Sequence, residues 1–353
     1  MTLNVSGVDL FCGAGGLTRG LVEAGINIVA GYDIDSNCKY PYEFNNKAKF
    51  IEKSVTDIQG SEIKDFLSGS TVSLLAGCAP CQPFSKYTQK LPKDERWGLL
   101  YQFGRLIKES EPDLITMENV PDLVKHDVYS DFKSELIEAG YHIYDQVVFC
   151  PDYGMAQTRR RLVLLASKLG AITLIPPTHK KENYTTVREV ISHLPKLKAG
   201  AACKQDPLHR ASRLSEINLK RIKASKPGGT WRDWPEELRA KCHTKESGRG
   251  YASVYGRMNW DEPSPTMTTQ CYGFGNGRFG HPKQNRAISL REAAILQSFP
   301  DNYQFIEPTK PVETSVLGRM IGNAVPVKLG EVVGLSIQKH LESVNGSDSP
   351  PEV

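Results

Sequence analysis

The stretch VSGVDLFCGAGG, residues 5–16, sets the fold, because a short apolar strand pattern runs directly into a glycine-rich turn. A helical pattern follows from Leu17 to Ala24. Glycines at a strand-to-helix turn let the backbone approach a ligand beside the helix N-terminus, although many such turns need glycine for geometry alone. The dinucleotide fingerprint G-x-G-x-x-G would require glycine at position 18, where Thr18 stands. The stretch predicts the first strand-turn-helix unit of an α/β fold and does not match the dinucleotide fingerprint.

A second apolar run, Val72 to Ala76, has the pattern of a buried strand that breaks at Gly77. It opens into a loop that carries Cys81, at the carboxyl edge where open α/β sheets place their chemistry. A thiol at this edge is a candidate nucleophile. The alternatives are a buried structural cysteine or a CxxC pair of Cys78 with Cys81.

Polar residues also end two other predicted strands. Asp33 and Asp35 follow the strand that begins at Asn27, and an acid at this place can accept hydrogen bonds from ribose hydroxyls. Asp35 fits a helix N-cap equally well. Glu118 and Asn119 follow the strand 113–117 and would face the same crevice as the cysteine loop. The sequence therefore predicts several polar groups at one edge of the sheet.

Composition and length define the broad class. A chain of 353 residues can form two domains, and its 39% hydrophobic and 24% charged residues are typical of a soluble globular protein. Neither a secretory signal nor a run of about 18 apolar residues for a membrane span is visible. The eight cysteines, scattered from Cys12 to Cys271, do not resemble a disulfide framework. We expect a protein of a reducing compartment, without a membrane contact.

The modest net charge of +4 hides an asymmetry along the chain. Residues 171–285 contain 20 Lys and Arg against 10 Asp and Glu, a net charge of +10, whereas the rest of the chain carries −6. From Pro176 the α/β rhythm fades, and residues 271–279 interleave aromatic side chains with glycine and arginine. Such a segment suits contacts to the bases and phosphates of a polyanion, although a solvated basic surface or an irregular β domain has the same composition.

Eight short motifs stand in a fixed order: DLFxGxGG at 9–16, DxD at 33–35, DI at 57–58, PCQPFS at 80–85, ENV at 118–120, QxRxR at 157–161, REAAxLQxFP at 291–300 and GNAVP at 322–326. In this order they closely resemble the DNA (cytosine-5) methyltransferase family of the prokaryotic type. The resemblance spans residues 5 to about 340, apart from the variable segment used for target recognition. Each motif alone is weak evidence for the family, so the resemblance rests on their order along the chain.

The resemblance implies that Cys81 is the nucleophile that adds to C6 of cytosine. Addition of a thiolate breaks the aromaticity of the ring and lets C5 attack a sulfonium methyl group. Glu118 matches the acid that binds N3 and the exocyclic amine, and Asn119 would position the loop. Arg159 and Arg161 would hold the base, the neighbouring phosphate and the charge of the acid. The expected catalytic residues are Cys81, Glu118, Asn119, Arg159, Arg161 and Gln82.

Cys78 stands where the family does not require a cysteine, which argues against a redox CxxC pair. No second cysteine pair at zinc-finger spacing accompanies it, so no metal is expected. Cys78 is therefore assigned to packing.

The cofactor implied by the resemblance is S-adenosylmethionine, with S-adenosylhomocysteine as its product. The glycine turn would cradle the methionine part and the ribose, Asp33 would bind the ribose hydroxyls, and Asp57 the adenine amine. Two pocket positions come from the far end of the chain, so the C-terminal helix should return to pack beside the first strand. The matching pocket positions are Phe11, Gly13, Gly15, Asp33, Ile34, Asp57, Ile58, Pro80, Leu100, Asn323 and Val325.

The implied fold is α/β, with a Rossmann-like S-adenosylmethionine-dependent methyltransferase sheet in a catalytic domain over residues 1–170. A smaller, irregular and mostly β target-recognition domain is expected at 171–317. Residues 318–343 would return to the catalytic domain, and 344–353 would form a disordered tail. A stacked cytosine is out of reach of such a pocket, so the base must be flipped out of the duplex, and residues 82–98 would close over it as a lid.

The expected activity is sequence-specific methylation of C5 in double-stranded DNA through a covalent adduct of Cys81 with C6. The chain would act as a monomer in a prokaryotic cytoplasm, alongside a cognate restriction endonuclease. Two alternatives remain at this stage: the tRNA-methylating branch of the family, whose Cys-Phe-Thr signature is absent from this sequence, and a catalytically inactive DNA-binding relative.

Overall fold

The computed structural model describes residues 4–80 and 93–346. Its strands form one seven-stranded sheet in the order β3-β2-β1-β4-β5-β7-β6. Strands β1 to β5 pair in parallel, and β7 runs antiparallel to both β5 and β6. The strands are β1 Val5–Leu10, β2 Asn27–Asp33, β3 Lys49–Glu52, β4 Val72–Gly77, β5 Leu114–Asn119, β6 His142–Phe149 and β7 Arg160–Ser167. The predicted α/β class with a mostly parallel sheet is confirmed.

The described helices connect and flank these strands. They are α1 Gly16–Glu23, α2 Lys39–Asn46, α3 Gly60–Leu67, α4 Lys93–Ser110, α5 Asp127–Glu138, α6 Val187–Ile191, α7 Glu216–Ala224, α8 Lys241–Thr244, α9 Glu246–Arg249, α10 Leu290–Leu296, α11 Thr314–Asn323 and α12 Val327–Gly346. Short 3-10 turns join several of them.

The strand order reverses between β1 and β4, which makes this pair the switch point of the sheet. Leu10 pairs with Gly77 at the carboxyl ends of the two strands, so the glycine turn and the cysteine loop leave the sheet side by side. Every residue of β1 and β5 is buried, as expected for central strands of a sheet covered on both faces. The fold thus places ligand-binding loops where open α/β sheets bind ligands.

The chain divides into two compact units. The sheet unit consists of Met1–Phe149, Arg160–Pro177 and Val325–Val353, and the second unit of Cys150–Arg159 and Thr178–Ala324, each as far as it is described. The sequence-based division at residues 170/171 and 317/318 stays a prediction.

Helix α12 packs against α1 in the sheet unit. The two helices approach closely because both carry glycine at the crossing. A Cβ atom at Gly330 would lie 2.8 Å from the carbonyl oxygen of Leu17, and one at Gly20 would overlap the backbone of Val327. The last described part of the chain therefore covers the helix that follows the glycine turn.

The stretch Thr314–Gly346 is long enough to cross a membrane, and its most apolar window of 18 residues has a mean hydropathy of 1.3. Of its most apolar window, 78% is buried within the folded chain. Core helices of soluble proteins have the same length and composition, so this stretch is weak evidence for a membrane span.

The second unit differs from the expected mostly β domain, which is a correction. Its described β pairing consists of isolated bridges, such as Gln157 with Ser264, and its regular elements are short helices. Glycine and proline interrupt the segment too often for an alternating strand pattern to persist. A small core of Ile222, Trp231, Trp234, Phe274 and Ala287 holds part of the unit together.

The expected lid at 82–98 needs a correction at its C-terminal end. Helix α4 begins at Lys93, so residues 93–98 are helical, and residues 82–92 lie outside the described residues. The run 91–98 is polar and turn-rich, so the sequence predicts a loop there and a helix that begins only at about Leu99.

Candidate active site

The turn after β1 and the acid that ends β2 are joined by a hydrogen bond. The backbone N–H of Gly13 donates to Asp33 Oδ2 at 2.9 Å, and the N–H of Asp35 donates to Asp33 Oδ1 at 2.9 Å. Gly13 and Gly15 both have a positive φ, which side chains rarely tolerate. Asp35 instead caps a short 3-10 turn by accepting from the N–H of Asn37, which confirms the cap alternative for this residue.

Phe11 has a φ of 58°, a strained conformation for a residue with a side chain. The chain reverses here to enter the glycine turn, and the N–H of Cys12 donates to the carbonyl of Tyr32 at 3.1 Å. Strain of this kind accumulates at functional sites, where surrounding contacts hold it in place.

A buried acid, Asp9, lies beneath this turn. The hydroxyl of Thr18 donates to Asp9 Oδ2 at 2.6 Å, and the Tyr42 hydroxyl lies 3.1 Å from Thr18 Oγ1. Burial, together with the smaller effect of the nearby charge of Asp33, raises the pKa of Asp9 to about 7. Thr18, which breaks the dinucleotide fingerprint, thus ties α1 to β1.

The other predicted pocket residues of the sheet unit occupy varied environments. Ile34 is 73% exposed beside Asp33, an unusual position for a large apolar side chain. Asp57 is exposed and accepts from the Thr56 hydroxyl at 3.2 Å, whereas Ile58 and Leu100 are buried in the core. Ile34 and Asp57 are therefore accessible to a ligand, whereas Ile58 and Leu100 pack in the hydrophobic core of the sheet unit.

The pairing register of β4 and β5 brings Glu118 and Asn119 beside the cysteine loop. Gly77 pairs with Met117, so the residues that follow on the two strands are also neighbours. The Cys78 thiol donates to Glu118 Oε2 at 3.0 Å, and Asn119 Nδ2 donates to the carbonyl of Ala79 at 3.0 Å. The start of the cysteine loop is thereby fixed to the end of β5.

Arg161, near the start of the antiparallel strand β7, forms an ion pair with Glu118. Nε of Arg161 lies 2.7 Å from Oε1 of Glu118, and the two side chains are 14% and 6% exposed. Because β7 runs antiparallel to β5, its first residues lie beside the carboxyl end of β5. The predicted pairing of this arginine with the charge of the acid is present in the structure.

Arg159 belongs to the second unit and is almost fully buried there. Its guanidinium donates to the carbonyl of Met267 at 3.0 Å. Neighbouring Gln157 donates to Gln297 Oε1 at 2.8 Å and to the carbonyl of Leu296, while accepting from the N–H of Met267. Two separate sequence motifs, QxRxR and REAAxLQxFP, are thus joined inside this unit.

The remaining predicted residues are placed as follows. Cys81 and Gln82 lie outside the described residues, and Pro80, the last residue described before them, is exposed. Asn323 is the exposed final residue of α11 in the second unit, and Val325 is buried at the start of the return to the sheet unit. Among the described residues, no group of three or more His, Cys, Asp or Glu could hold a metal ion.

Two residues that contribute to the candidate site, Thr18 and Cys78, are not predicted from the sequence. Sequence reasoning treats Thr18 only as the residue that breaks a fingerprint, and Cys78 only as packing. The signal for Cys78 is available in principle, because parallel strands that pair in register place the residues after their ends side by side. It requires the register, which the sequence alone does not provide.

The residues of the sheet unit fit a nucleoside-containing cofactor. A Cβ atom at Gly13 would meet nothing within 4 Å, so the turn borders open space. The carboxylate of Asp33 is held in place by two backbone N–H groups, and the exposed apolar face of Ile34 stands next to it. A carboxylate can accept hydrogen bonds from the ribose hydroxyls, and an apolar surface beside it can pack against the adenine ring. These are the groups that bind a nucleoside.

Comparison with known proteins identifies the class. Residues 5–339 match the family described as C-5 cytosine-specific DNA methylase. The type II methylase M.HgiDII of Herpetosiphon aurantiacus is 54% identical over 341 residues, which are 96% of each chain. The type II methyltransferase M.Eco47II of Escherichia coli is 31% identical over 347 residues, covering 96% of this chain and 80% of the relative.

Solved structures agree in fold. A putative DNA modification methyltransferase encoded within an E. coli prophage has a TM-score of 0.74 at 22% identity, covering 96% of this chain and 99% of the other. The Spodoptera frugiperda DNMT2 mutant has a TM-score of 0.67 at 16% identity, with coverages of 94% and 99%. At these identities the likeness shows the fold alone.

The chain belongs to the C-5 cytosine-specific DNA methylase family. It is a DNA (cytosine-5-)-methyltransferase that uses S-adenosylmethionine.

Proposed function

We propose that this methyltransferase acts on a cytosine flipped out of duplex DNA, with Cys81 as the nucleophile and Glu118 as the acid that binds the base. The observation that carries the proposal is the buried contact of Glu118 with Arg161 at the sheet edge where the cysteine loop begins. A carboxyl group that is buried and paired at the ligand-binding edge of the sheet has the environment of a catalytic acid.

In the proposed reaction, the Cys81 thiolate forms a bond to C6, and the electron pair of the C5–C6 double bond makes C5 nucleophilic. Glu118 hydrogen-bonds N3 and the exocyclic amine, so that it stabilises the charge that develops on the ring. Bound S-adenosylmethionine supplies an electrophilic methyl group on sulfur. With the cofactor bound, C5 would take the methyl group and S-adenosylhomocysteine would leave. A base would then remove the C5 proton, so that the Cys81–C6 bond breaks and the thiolate is released.

The supporting residues have separate tasks. Arg161 forms an ion pair with one oxygen of the Glu118 carboxylate. Asn119 holds the carbonyl of Ala79, two residues before the nucleophile, and so fixes the base of the loop. Asp33 and the glycine turn place the ribose, and Arg159, Gln82, Asn323 and Val325 complete the proposed site.

We also propose that the basic segment 171–285, most of which lies in the second unit, binds the DNA backbone. Its net charge of +10 contrasts with −6 for the rest of the chain. Lys220, Lys223 and Lys226 are exposed on and just after α7. Removing a side chain that neutralises one phosphate should make the slope of log K against log[salt] shallower by about 0.9.

A matched pair of variants tests this assignment. Replacing Lys220, Lys223 and Lys226 with Gln should weaken DNA binding and reduce its salt dependence. The same change at three exposed lysines of the sheet unit, Lys39, Lys47 and Lys108, should leave both unchanged. Equal effects of the two triple variants would refute the assignment.

The proposed biological setting is a type II modification system in the bacterial cytoplasm, where the methylated site matches that of a restriction endonuclease. The support is the full-length likeness to bacterial enzymes named as type II methylases and methyltransferases. We propose a monomer, because one chain carries all the motifs of the reaction.

Bisulfite sequencing of DNA from cells that express the protein tests the function directly. We expect protected cytosines at one short sequence in cells with the wild type and none with Cys81→Ser. Protection that persists with Cys81→Ser would overturn the proposed nucleophile, and unprotected DNA with a well-folded wild type would overturn the DNA substrate. Co-expression with restriction endonucleases that cut the protected site then tests the modification role.

A further inference from the structure

The thiol of Cys78 has a defined polar partner, in contrast to the packing role expected from sequence. Cys78 follows β4 and Glu118 lies near the end of β5, and the register of these parallel strands sets the two residues opposite each other. The thiol donates to Glu118 Oε2 at 3.0 Å. The backbone N–H of Cys78 donates to the carbonyl of Leu10 at 3.3 Å, which fixes its position relative to the glycine turn.

We propose that Cys78 is a positioning residue for Glu118: its thiol holds Oε2 while Arg161 holds Oε1, so that the carboxylate presents one fixed edge to the cytosine. This inference rests on the proposed role of Glu118 as the acid that binds the base.

The physical reason is the freedom of a glutamate side chain. The terminal torsion of glutamate is broad, so one partner at one oxygen leaves the carboxylate plane free to rotate. A second partner at the other oxygen restricts this freedom. The two partners come from different directions: the Cys78 thiol donates from the end of β4, and Arg161 forms its ion pair from the start of β7, on either side of β5.

The thiol also suits a carboxylate that must exchange partners. An S–H group is a weak donor, so a base that approaches Glu118 can displace it at little cost. Cys78 can therefore orient the empty site without blocking the occupied one.

Three substitutions distinguish a hydrogen-bonding role of the Cys78 side chain from a packing role. Cys78→Ser keeps a donor in a smaller side chain, Cys78→Val keeps apolar volume without a donor, and Cys78→Ala keeps neither. Because Cys78 orients the empty site, we expect kcat/KM for the DNA to fall about tenfold in the Val and Ala variants and less than threefold in the Ser variant, with KM for S-adenosylmethionine within twofold of wild type. A Val variant that matches wild type while the Ser variant is impaired would overturn the inference in favour of packing.

A double-mutant cycle with Glu118→Ala shows whether Cys78 acts through the acid. With both carboxylate oxygens removed, adding Cys78→Ala should cause no further loss of single-turnover rate. A further tenfold loss would overturn this inference and leave the role of Glu118 intact. A Glu118→Ala variant that turns over at the wild-type rate would instead overturn the role of Glu118, and with it the inference.

Thermal unfolding of each variant accompanies these rates. We expect the Ser and Val variants to unfold within a few degrees of wild type, because Cys78 is only half-buried. Cys242→Ala is the control, since this thiol is exposed in the second unit and should affect neither rate nor stability.

Discussion

Arg161 Nε lies 2.7 Å from Glu118 Oε1, and both side chains are largely withdrawn from water. The pair joins the central strand β5 to the antiparallel strand β7 at the edge of the sheet that carries the cysteine loop. Removing one partner of such a pair leaves an uncompensated charge, which is more costly than the pair itself is stabilising.

Glu118→Gln should lower kcat about 10²- to 10³-fold, because the amide keeps the shape of the carboxyl group but loses the acid. Affinity for S-adenosylmethionine should stay within twofold of wild type. Single-turnover methyl transfer and calorimetric titration of the cofactor measure the two quantities. Glu138→Gln, at an exposed carboxylate of the sheet unit, is the control. Loss of cofactor binding in Glu118→Gln would point to a structural role.

Asp33→Ala should weaken binding of S-adenosylmethionine by roughly ten- to a hundredfold, because hydrogen bonds to a charged group contribute about 1.5–3 kcal/mol. The variant also removes the acceptor for the N–H of Gly13. Isothermal titration gives the affinity, and Asp65→Ala provides an exposed control on α3. Unchanged affinity in Asp33→Ala would remove this residue from the proposed pocket.

Asp9 predicts a pH dependence of stability. Its pKa is raised from 3.8 to about 7 by burial, so the folded protein keeps the proton that the unfolded chain releases near pH 4. Stability contributed by this group is therefore present at low pH and is lost between about pH 4 and pH 7, at up to about 1.4 kcal/mol per pH unit. Asp9→Asn has no such titration, so its stability relative to wild type should rise across this window.

Urea unfolding of wild type and Asp9→Asn at several pH values measures this difference. Other titrating groups are common to both proteins and cancel in the comparison. Asp65→Asn should run parallel to wild type, since its carboxyl group is exposed. If Asp9→Asn also runs parallel, Asp9 ionises normally in the folded state.

Gly20→Ala should destabilise the sheet unit by more than about 2 kcal/mol, because the new methyl group would overlap the backbone of α12 at Val327. Gly346→Ala, at the end of α12 where a Cβ meets nothing within 4 Å, should be nearly neutral. Differential scanning calorimetry compares the two. Equal melting temperatures of Gly20→Ala and wild type would show that the α1–α12 crossing adapts.

Much of the fold is predictable because strands and glycine turns are local features. The runs ending at Leu10 and Gly77 are recognisable as buried strands, and the turn at Gly13 follows from its glycines. The pairing of Arg161 with Glu118 is anticipated only through the family resemblance, since the residues are 43 positions apart.

The rest could not be predicted for physical reasons. The contact of Cys78 with Glu118 depends on strand register, which local sequence does not fix. The second unit is expected to be mostly β, but tertiary contacts of buried side chains such as Trp234 and Arg257 organise it in place of strand pairing. The early start of α4 at Lys93 shows a helix in a run whose composition indicates a loop.

The central claim is that Cys81 forms a bond to the target cytosine, and the mass of a trapped complex tests it most directly. The protein is incubated with S-adenosylmethionine and a duplex that carries 5-fluorocytosine at the site found by bisulfite sequencing. Fluorine cannot leave C5 as a proton does, so we predict a stable adduct whose mass equals protein plus methylated strand, mapped to Cys81 and absent in Cys81→Ala. A wild type that produces 5-methylcytosine from ordinary DNA but forms no adduct, or an adduct at another residue, would contradict the account.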